Sequence, residues 1–321
     1  MKSEFDLINK IRATSVLSKI GDDCAVLPKD SRTDLVITTD LLVEDIDFRL
    51  IWTRAQFLGH KALAVSLSDI AAMGAKPVWA MLSLGIPAQV WETDFVEKFY
   101  EGWFALAEKF GVELVGGDVS KTPDKIVIDS IVAGEVRKGK AVLRSTAQPN
   151  DLIFVTGELG GAAAGLQLLE KGEKFDKSKN EKLLLRQLKP QPQTEIGQLL
   201  TNLSTSMIDL SDGLSSDLAH ICRESKVGAK IYAEKIPIDK NLSAISSENL
   251  DLLNFALNGG EDFELLFTVN PENQKKIFRL KAGLTNYAFS CIGEITKETE
   301  IIELISKSKT QILAAKGYRH F

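Results

Sequence analysis

Ser206-Met207-Ile208-Asp209-Leu210-Ser211-Asp212-Gly213-Leu214-Ser215-Ser216-Asp217-Leu218 is the stretch on which the architecture turns. It reads as a short apolar strand, a tight polar turn and then a helix. Two carboxylates, Asp209 and Asp212, stand where the strand stops. Ser211 or Asp212 suits the N-cap of the helix, and Asp217 lies near enough to its start to favour the dipole. Taken alone, the run is read equally well as caps and turn residues. The same pattern of an apolar strand leading to an acid recurs upstream, at Asp40 and at Asp118 among others. A chain that repeats it is expected to hold hard cations.

Composition narrows the class. The 321 residues suit two domains better than one core. A hydrophobic content of 44% with 26% charged residues is that of a globular chain. The net charge of −5 argues against a nucleic-acid binder, which would carry a basic face. No apolar run is long enough to cross a bilayer, so no membrane role is expected. The opening residues Met1 to Asp6 lack the basic and then apolar regions of a secretory signal, and a cytoplasmic location is expected. Cys24, Cys222 and Cys291 are far apart, have no metal spacing and read as buried thiols in a reducing compartment. Three histidines supply neither a zinc site nor a His-based triad.

Periodicity places the elements. A short helix is expected over Phe5 to Ile11, strands at Asp34 to Asp40 and Trp79 to Ile86, and long helices at Thr53 to Met73 and Thr93 to Phe110. Thr53 is the expected N-cap of the first long helix. Asp69 falls on its stripe with Val65, Ala72 and Met73, where a carboxylate is costly to bury without a partner. Val112 to Asp118 reads as a strand ending in an acid, and Ile126 to Val136 as an apolar strand. Punctuation at Gln148-Pro149-Asn150-Asp151 marks a boundary between residues 1–147 and 148–321. Beyond it come the strand from Leu152 to Thr156, a glycine-rich turn from Gly157, a loop over Lys171 to Asn180 and helices on either side of Pro190 and Pro192. Strands near Ala229–Tyr232 and Leu265–Val269 follow, with a helix at Leu250 to Leu257. Strands and long helices mix in both halves, so the fold class is α/β plus α+β.

The acids Asp22, Asp23, Asp40, Asp69, Asp118, Asp209 and Asp212, with Thr38, Thr39 and Ser211 beside them, offer oxygen ligands that suit Mg²⁺ rather than zinc or copper. Gathered together they would repel one another unless cations were present. A phosphate-handling site fits; separate acids on a solvated surface remain the other reading. No P-loop, dinucleotide fingerprint or protein-kinase motif pair is present. Gly157 to Gly165 could cradle phosphate, and close helix packing explains its glycines as well. An acidic Ca²⁺-binding or scaffold protein is the non-enzymatic alternative, but no EF-hand loop occurs.

With these stretches on the page, the sequence resembles the thiamine-monophosphate kinase family, of the aminoimidazole ribonucleotide synthetase and selenophosphate synthetase superfamily. The carrying motifs run in order: GDDCAVL from Gly21, TTDLLVE from Thr38, KALAVSLSDIAAMGAKP from Lys61, GGDVS from Gly116 and LRS around Arg144. VTGELGGAAAG from Val155, IDLSDGLSSDL from Ile208, GGEDFELLFT from Gly259 and KGY from Lys316 complete them. A selenophosphate synthetase would carry a reactive Cys in a glycine-rich N-terminal segment, whereas Cys24 lies inside the GDDCAV strand entry.

The resemblance implies ATP-dependent phosphorylation of thiamine monophosphate to the diphosphate with several Mg²⁺ ions, and leaves a K⁺ requirement open. It implies a two-domain fold: an N-terminal sheet domain that dimerises, and a C-terminal α+β domain across the active cleft. It carries metal roles onto Asp23, Thr38, Thr39, Asp40, Asp69, Asp118, Asp209 and Asp212. It carries ATP contacts onto Tyr100, Gly117, Asp118, Arg144 and Ser211, and substrate contacts onto Glu261 and Tyr318. Asp47 occupies a substrate position where the family commonly has His. No nucleophile or general base is implied; Asp212 and Arg144 would act electrostatically.

Overall fold

Two mixed sheets divide the chain in sequence order. The computed structural model describes residues 21–245, 249–283, 288–307 and 309–318, with Leu7, Ile8, Lys10, Ile11 and Ala13 before them. Those five are helical, in line with the expected opening helix; Phe5 lies outside the described residues. The first sheet holds β1 (Ala25–Pro28), β2 (Thr33–Val43), β3 (Lys76–Pro87), β4 (Glu113–Thr122) and β5 (Val127–Arg137), ordered β1-β2-β5-β3-β4. Only β3 and β4 run parallel, and helix Phe95–Phe110 is their crossover.

The second sheet holds β6 (Leu152–Thr156), β7 (Ser204–Asp209), β8 (Gly228–Tyr232), β9 (Leu265–Val269), β10 (Phe289–Thr296), β11 (Ile302–Ser306) and β12 (Lys309–Ile312). Their order is β12-β11-β8-β10-β6-β9-β7. The strand at Leu265–Val269 falls where periodicity put it, and the helix expected after the Asp209–Asp212 turn spans Leu214–Ser225. The sequence reading placed no strand at β10, β11 or β12; the last two are only five and four residues long, and β12 is exposed throughout, so it carries no burial period.

Helix Ala55–Ala72 joins the halves. It packs on β2 and β5 on one side and on β7 and helix Thr194–Leu200 on the other. Fifteen of its 18 residues are buried, so it has no solvated face; Val65, Ala72 and Met73, the expected stripe about Asp69, are buried with the rest. Arg54, not Thr53, occupies its N-cap position, without a side-chain cap bond.

Two further expectations are corrected. Asp40 and Asp118 lie inside β2 and β4, not at strand ends. Pairing continues to Val43 opposite Val127 and to Thr122 opposite Pro87, and that pairing holds the strands extended beyond the acids. Gly213, with φ of 110°, stands at the N-cap of helix Leu214–Ser225 in place of Ser211 or Asp212. The Asp217 carboxylate, one turn into that helix, reaches back to accept from the backbone N–H groups of Asp212 and Gly213, at 3.3 and 3.0 Å.

Candidate active site

Strand alternation points Thr38 and Asp40 of β2 toward helix Ala55–Ala72. There the Thr38 hydroxyl donates to Asp69, and the Ser66 hydroxyl donates to Asp40 at 2.6 Å. From the second sheet Asp209, at the end of β7, accepts from Ser68 at 2.7 Å. Asp23, in the turn before β1, completes the group: carboxylate oxygens of Asp23, Asp69 and Asp209 lie within 4.8 Å of one another. Three parts of the chain that are distant in sequence thus meet on one helix.

The electrostatics of this cluster are unbalanced. Burial, and then the neighbouring acids, push the Asp69 and Asp209 carboxyls well above their usual range. Burial likewise lifts Asp40 to about 6. The cation in contact is Arg144, whose guanidinium makes paired bonds to Asp23 at 2.7 and 3.1 Å. Burial works against the Arg144 charge, but Asp23, Asp209 and Asp69 outweigh it and hold the group protonated. Its backbone N–H also donates to Asp22 at 2.7 Å, which ties the Gly21–Asp23 turn to the Arg144–Thr146 turn. Four buried or half-buried carboxyls facing one guanidinium, with hydroxyl oxygens beside them, are the donor set of a hard divalent cation. The residues present fit Mg²⁺.

Next to the cluster a cleft of about 420 Å³ opens between the halves. Asp40, Asp47 and Lys61 line it from the first half, and Gln187, Ser211, Asp212, Glu261 and Tyr318 from the second. The Glu261 carboxylate pairs with the buried Lys61 ammonium at 2.6 Å and accepts from the Gln187 amide. Asp47 accepts from the Val43 backbone N–H at 2.8 Å, closing its own turn. Tyr318 arrives on the tail, where Lys316 and Gly317 N–H groups donate to Ser215 and Ser216 and the Tyr318 N–H donates to the Asp212 carbonyl. A Cβ at position 317 would stand 2.2 Å from that carbonyl, so only glycine lets the tail dock this closely.

Other expected residues lie apart. Asp212 is not in the Asp23 group; it is grouped with Asp217 and His220 on the following helix. Thr39 faces the opposite side of β2 and donates to Asp129 at 2.7 Å. In register, Asp129, Ser83 and Asp118 lie side by side across β5, β3 and β4, which puts Asp118 on that same far face. Gly117, at φ of 155°, sits where a Cβ would stand 1.9 Å from the Leu82 carbonyl oxygen. Tyr100 is half-buried on helix Phe95–Phe110, stacked on Phe104 at 5.7 Å.

The glycine-rich turn at Gly157 does not cradle an external phosphate. Asp262 already occupies the helix start there, accepting from Gly160 and Ala162 N–H at 2.6 and 3.2 Å. Burial lifts its carboxyl to about 6, against the pull of Arg186. Lys61, Gln187, Ser66 and Ser68 escaped the sequence reading. The two serines had a signal: hydroxyls in an otherwise apolar buried helix need acceptors.

Comparison with known proteins agrees with this arrangement. Residues 21–136 match the family described as AIR synthase related protein, N-terminal domain, and residues 148–305 match its C-terminal domain. The chain is therefore an AIR synthase related protein of two matched regions. Thiamine-monophosphate kinase of Bacillus subtilis (strain 168) is 36% identical over 327 residues, covering 99% of both chains. That of Escherichia coli (strain K12) is 39% identical, covering 99% of this chain and 95% of its own. A solved structure described as AaThiL complexed with AMPPCP and TMP superposes with a TM-score of 0.87 at 32% identity, over 99% of this chain and 97% of that one. The chain belongs to the thiamine-monophosphate kinase family and is an enzyme of that class.

Proposed function

We propose that this chain transfers the γ-phosphoryl group of ATP to thiamine monophosphate by direct in-line displacement, releasing thiamine diphosphate and ADP and completing synthesis of that cofactor. The observation that carries the reading is the under-neutralised Asp23, Asp69, Asp209 cluster beside a cleft across which Lys61 and Glu261 pair. The 32% identical structure with AMPPCP and TMP supports the pair of substrates.

Asp23, Asp40, Asp69 and Asp209, with Thr38, would hold Mg²⁺, and Asp212 would add a carboxylate from across the cleft. A metal held by these residues would supply positive charge to offset that of the phosphates. Arg144, kept charged by its acids, adds a fixed cation at the same end. The acceptor is a phosphate oxygen whose second pKa lies near ~6, so it is already ionised at neutral pH and needs no general base. That agrees with a cleft lined by no His or Cys among the described residues. Glu261, Tyr318 and Asp47 form the end that takes the organic part of the acceptor.

Thr39 and Asp118 can join such a site only from the open face of the first sheet. Leu41 and Met81 are exposed on that face, 60% and 40%, while helices cover the other. A homodimer built through this face is the assembly we favour, with Tyr100, Gly117 and Asp118 on the ATP side. The boundary between 147 and 148 and a cytoplasmic location belong to the same proposal; no described helix is long and apolar enough to cross a membrane.

The deciding assay is thiamine diphosphate formation from Mg-ATP and thiamine monophosphate, with free thiamine and an aminoimidazole precursor as control acceptors. Product from the monophosphate alone is expected. ADP release without diphosphate would remove the acceptor assignment. A chirally labelled γ-phosphate should invert; retention would mean a phosphoenzyme.

A further inference from the structure

We propose that Lys61 and Gln187 are positioning residues that hold the Glu261 carboxylate as a fixed acceptor for a ring amine of the substrate, one substrate length from the acid cluster. The inference rests on the acceptor assignment above and names residues that neither the resemblance nor the comparisons assign.

Lys61 is 3% exposed, and its ammonium reaches one oxygen of Glu261 at 2.6 Å. Gln187 is 5% exposed and donates its amide to the other oxygen. Only the NH₂ of an amide can face a carboxylate, so the pairing also fixes which way Gln187 points. Glu261 itself sits at φ of 64°, a left-handed conformation unusual for a residue with a side chain, and its N–H donates to the Ser211 carbonyl at 2.8 Å. The carboxylate is thus over-determined: backbone strained, both oxygens held, yet its side chain keeps 29% of its surface on the cleft.

A carboxylate accepts and never donates, so the chemistry it selects is a hydrogen-bond donor, such as an amine N–H, or a cation. Asp47 and Asp212 line the same cleft and reinforce that preference. Lys61 would otherwise attract phosphate; neutralised by Glu261, it leaves the phosphate to the metal end. Lys61 and Asp69 are eight residues apart on one helix, about 12 Å at ~1.5 Å per residue. That span is comparable with the extended length of thiamine monophosphate. The helix therefore works as a ruler, with phosphate at the Asp69 end and aminopyrimidine at the Lys61 end.

The test compares thiamine monophosphate with the analogue carrying hydrogen in place of the exocyclic amine, which has no donor for the carboxylate. Lys61→Met should raise KM for thiamine monophosphate roughly tenfold, with kcat and KM for ATP nearly unchanged, and should change KM for the analogue little. Lys61→Arg should restore part of the discrimination. An unchanged KM, or an equal rise for both acceptors, overturns the clamp. If Lys61→Met does not fold, Gln187→Leu removes the second donor and carries the same expectation. Absence of wild-type turnover would instead refute the acceptor assignment. Calorimetric binding of thiamine monophosphate to wild type and variants would then judge the clamp directly: a tenfold loss supports it, no loss overturns it.

Discussion

This molecule holds two buried acid clusters, and they are built for different ends. At Arg186, the guanidinium bonds Glu264 at 3.2 Å and the Glu158 carbonyl at 2.6 Å, with Asp262 and Asp239 within 4 Å. Asp262 accepts two backbone N–H groups, Glu264 accepts the Thr156 hydroxyl, and Asp239 accepts from Asn241. At Arg144 the guanidinium bonds, among the described residues, Asp23 alone, and there Asp69 and Asp209 have hydroxyl donors but no backbone N–H. Both clusters set several acids against one arginine. The difference is donors: the Arg186 acids accept from backbone N–H, hydroxyl, amide or guanidinium groups, with the Arg186 Nε left without a hydrogen-bond partner, while the Arg144 cluster retains buried negative charge that an added cation would offset. Charge left over after folding marks the functional cluster.

The sharpest way to break this comparison is to remove one acid from each. Asp209→Asn should lower kcat by about 10³-fold or more, since it strips charge from a metal-binding electrostatic site, while the metal-free protein melts no lower than wild type. Asp262→Ala should do the reverse. It leaves two N–H groups and a buried guanidinium short of a partner, costing about 2–4 kcal/mol in denaturant unfolding with kcat per folded molecule little changed. Equal kinetic losses in the two variants would end the distinction.

Added metal probes the same contrast more gently. Mg²⁺ at about 100 times its dissociation constant should stabilise the wild type by roughly 2.7 kcal/mol, read as a rise in Tm that Asp209→Asn abolishes and Asp262→Asn keeps. A Tm rise surviving in Asp209→Asn would place the ion elsewhere.

The smallest effect is in pH. Burial raises the Asp262 carboxyl from 3.8 to about 6 in the fold. A raised carboxyl favours the folded state most when protonated, so its contribution is full below pH ~4 and is lost as pH climbs through ~6, by up to about 3 kcal/mol. His60 runs the opposite way. Burial beside the Pro190 carbonyl, 2.7 Å from Nε2, lowers its pKa to about 4, so its contribution is present above pH ~6.5 and lost as pH falls through 4. Relative to Asp262→Asn, wild type should gain stability between pH 7 and 4 in urea titrations. A flat difference would mean that Asp262 is already satisfied as the anion.

Much of this protein was determined by its sequence alone. The apolar strand before Asp209, the helix from Leu214 to Ser225, the two-part organisation and the family motifs are local patterns, because period-2 and period-3.6 burial write themselves into neighbouring residues. The acids themselves were legible too, as oxygen donors in an otherwise apolar setting. Their grouping was not. Asp23, Asp69 and Asp209 meet only because helix Ala55–Ala72 is packed between two sheets, and Asp118 and Thr39 part from them only because strand pleating turns them to the other face. Nor could spacing reveal that Asp262 fills the Gly157 helix start or that Lys61 meets Glu261, 200 positions later. Such pairings depend on which elements the hydrophobic core brings together, and desolvation then decides whether each carboxylate is satisfied or left requiring a cation.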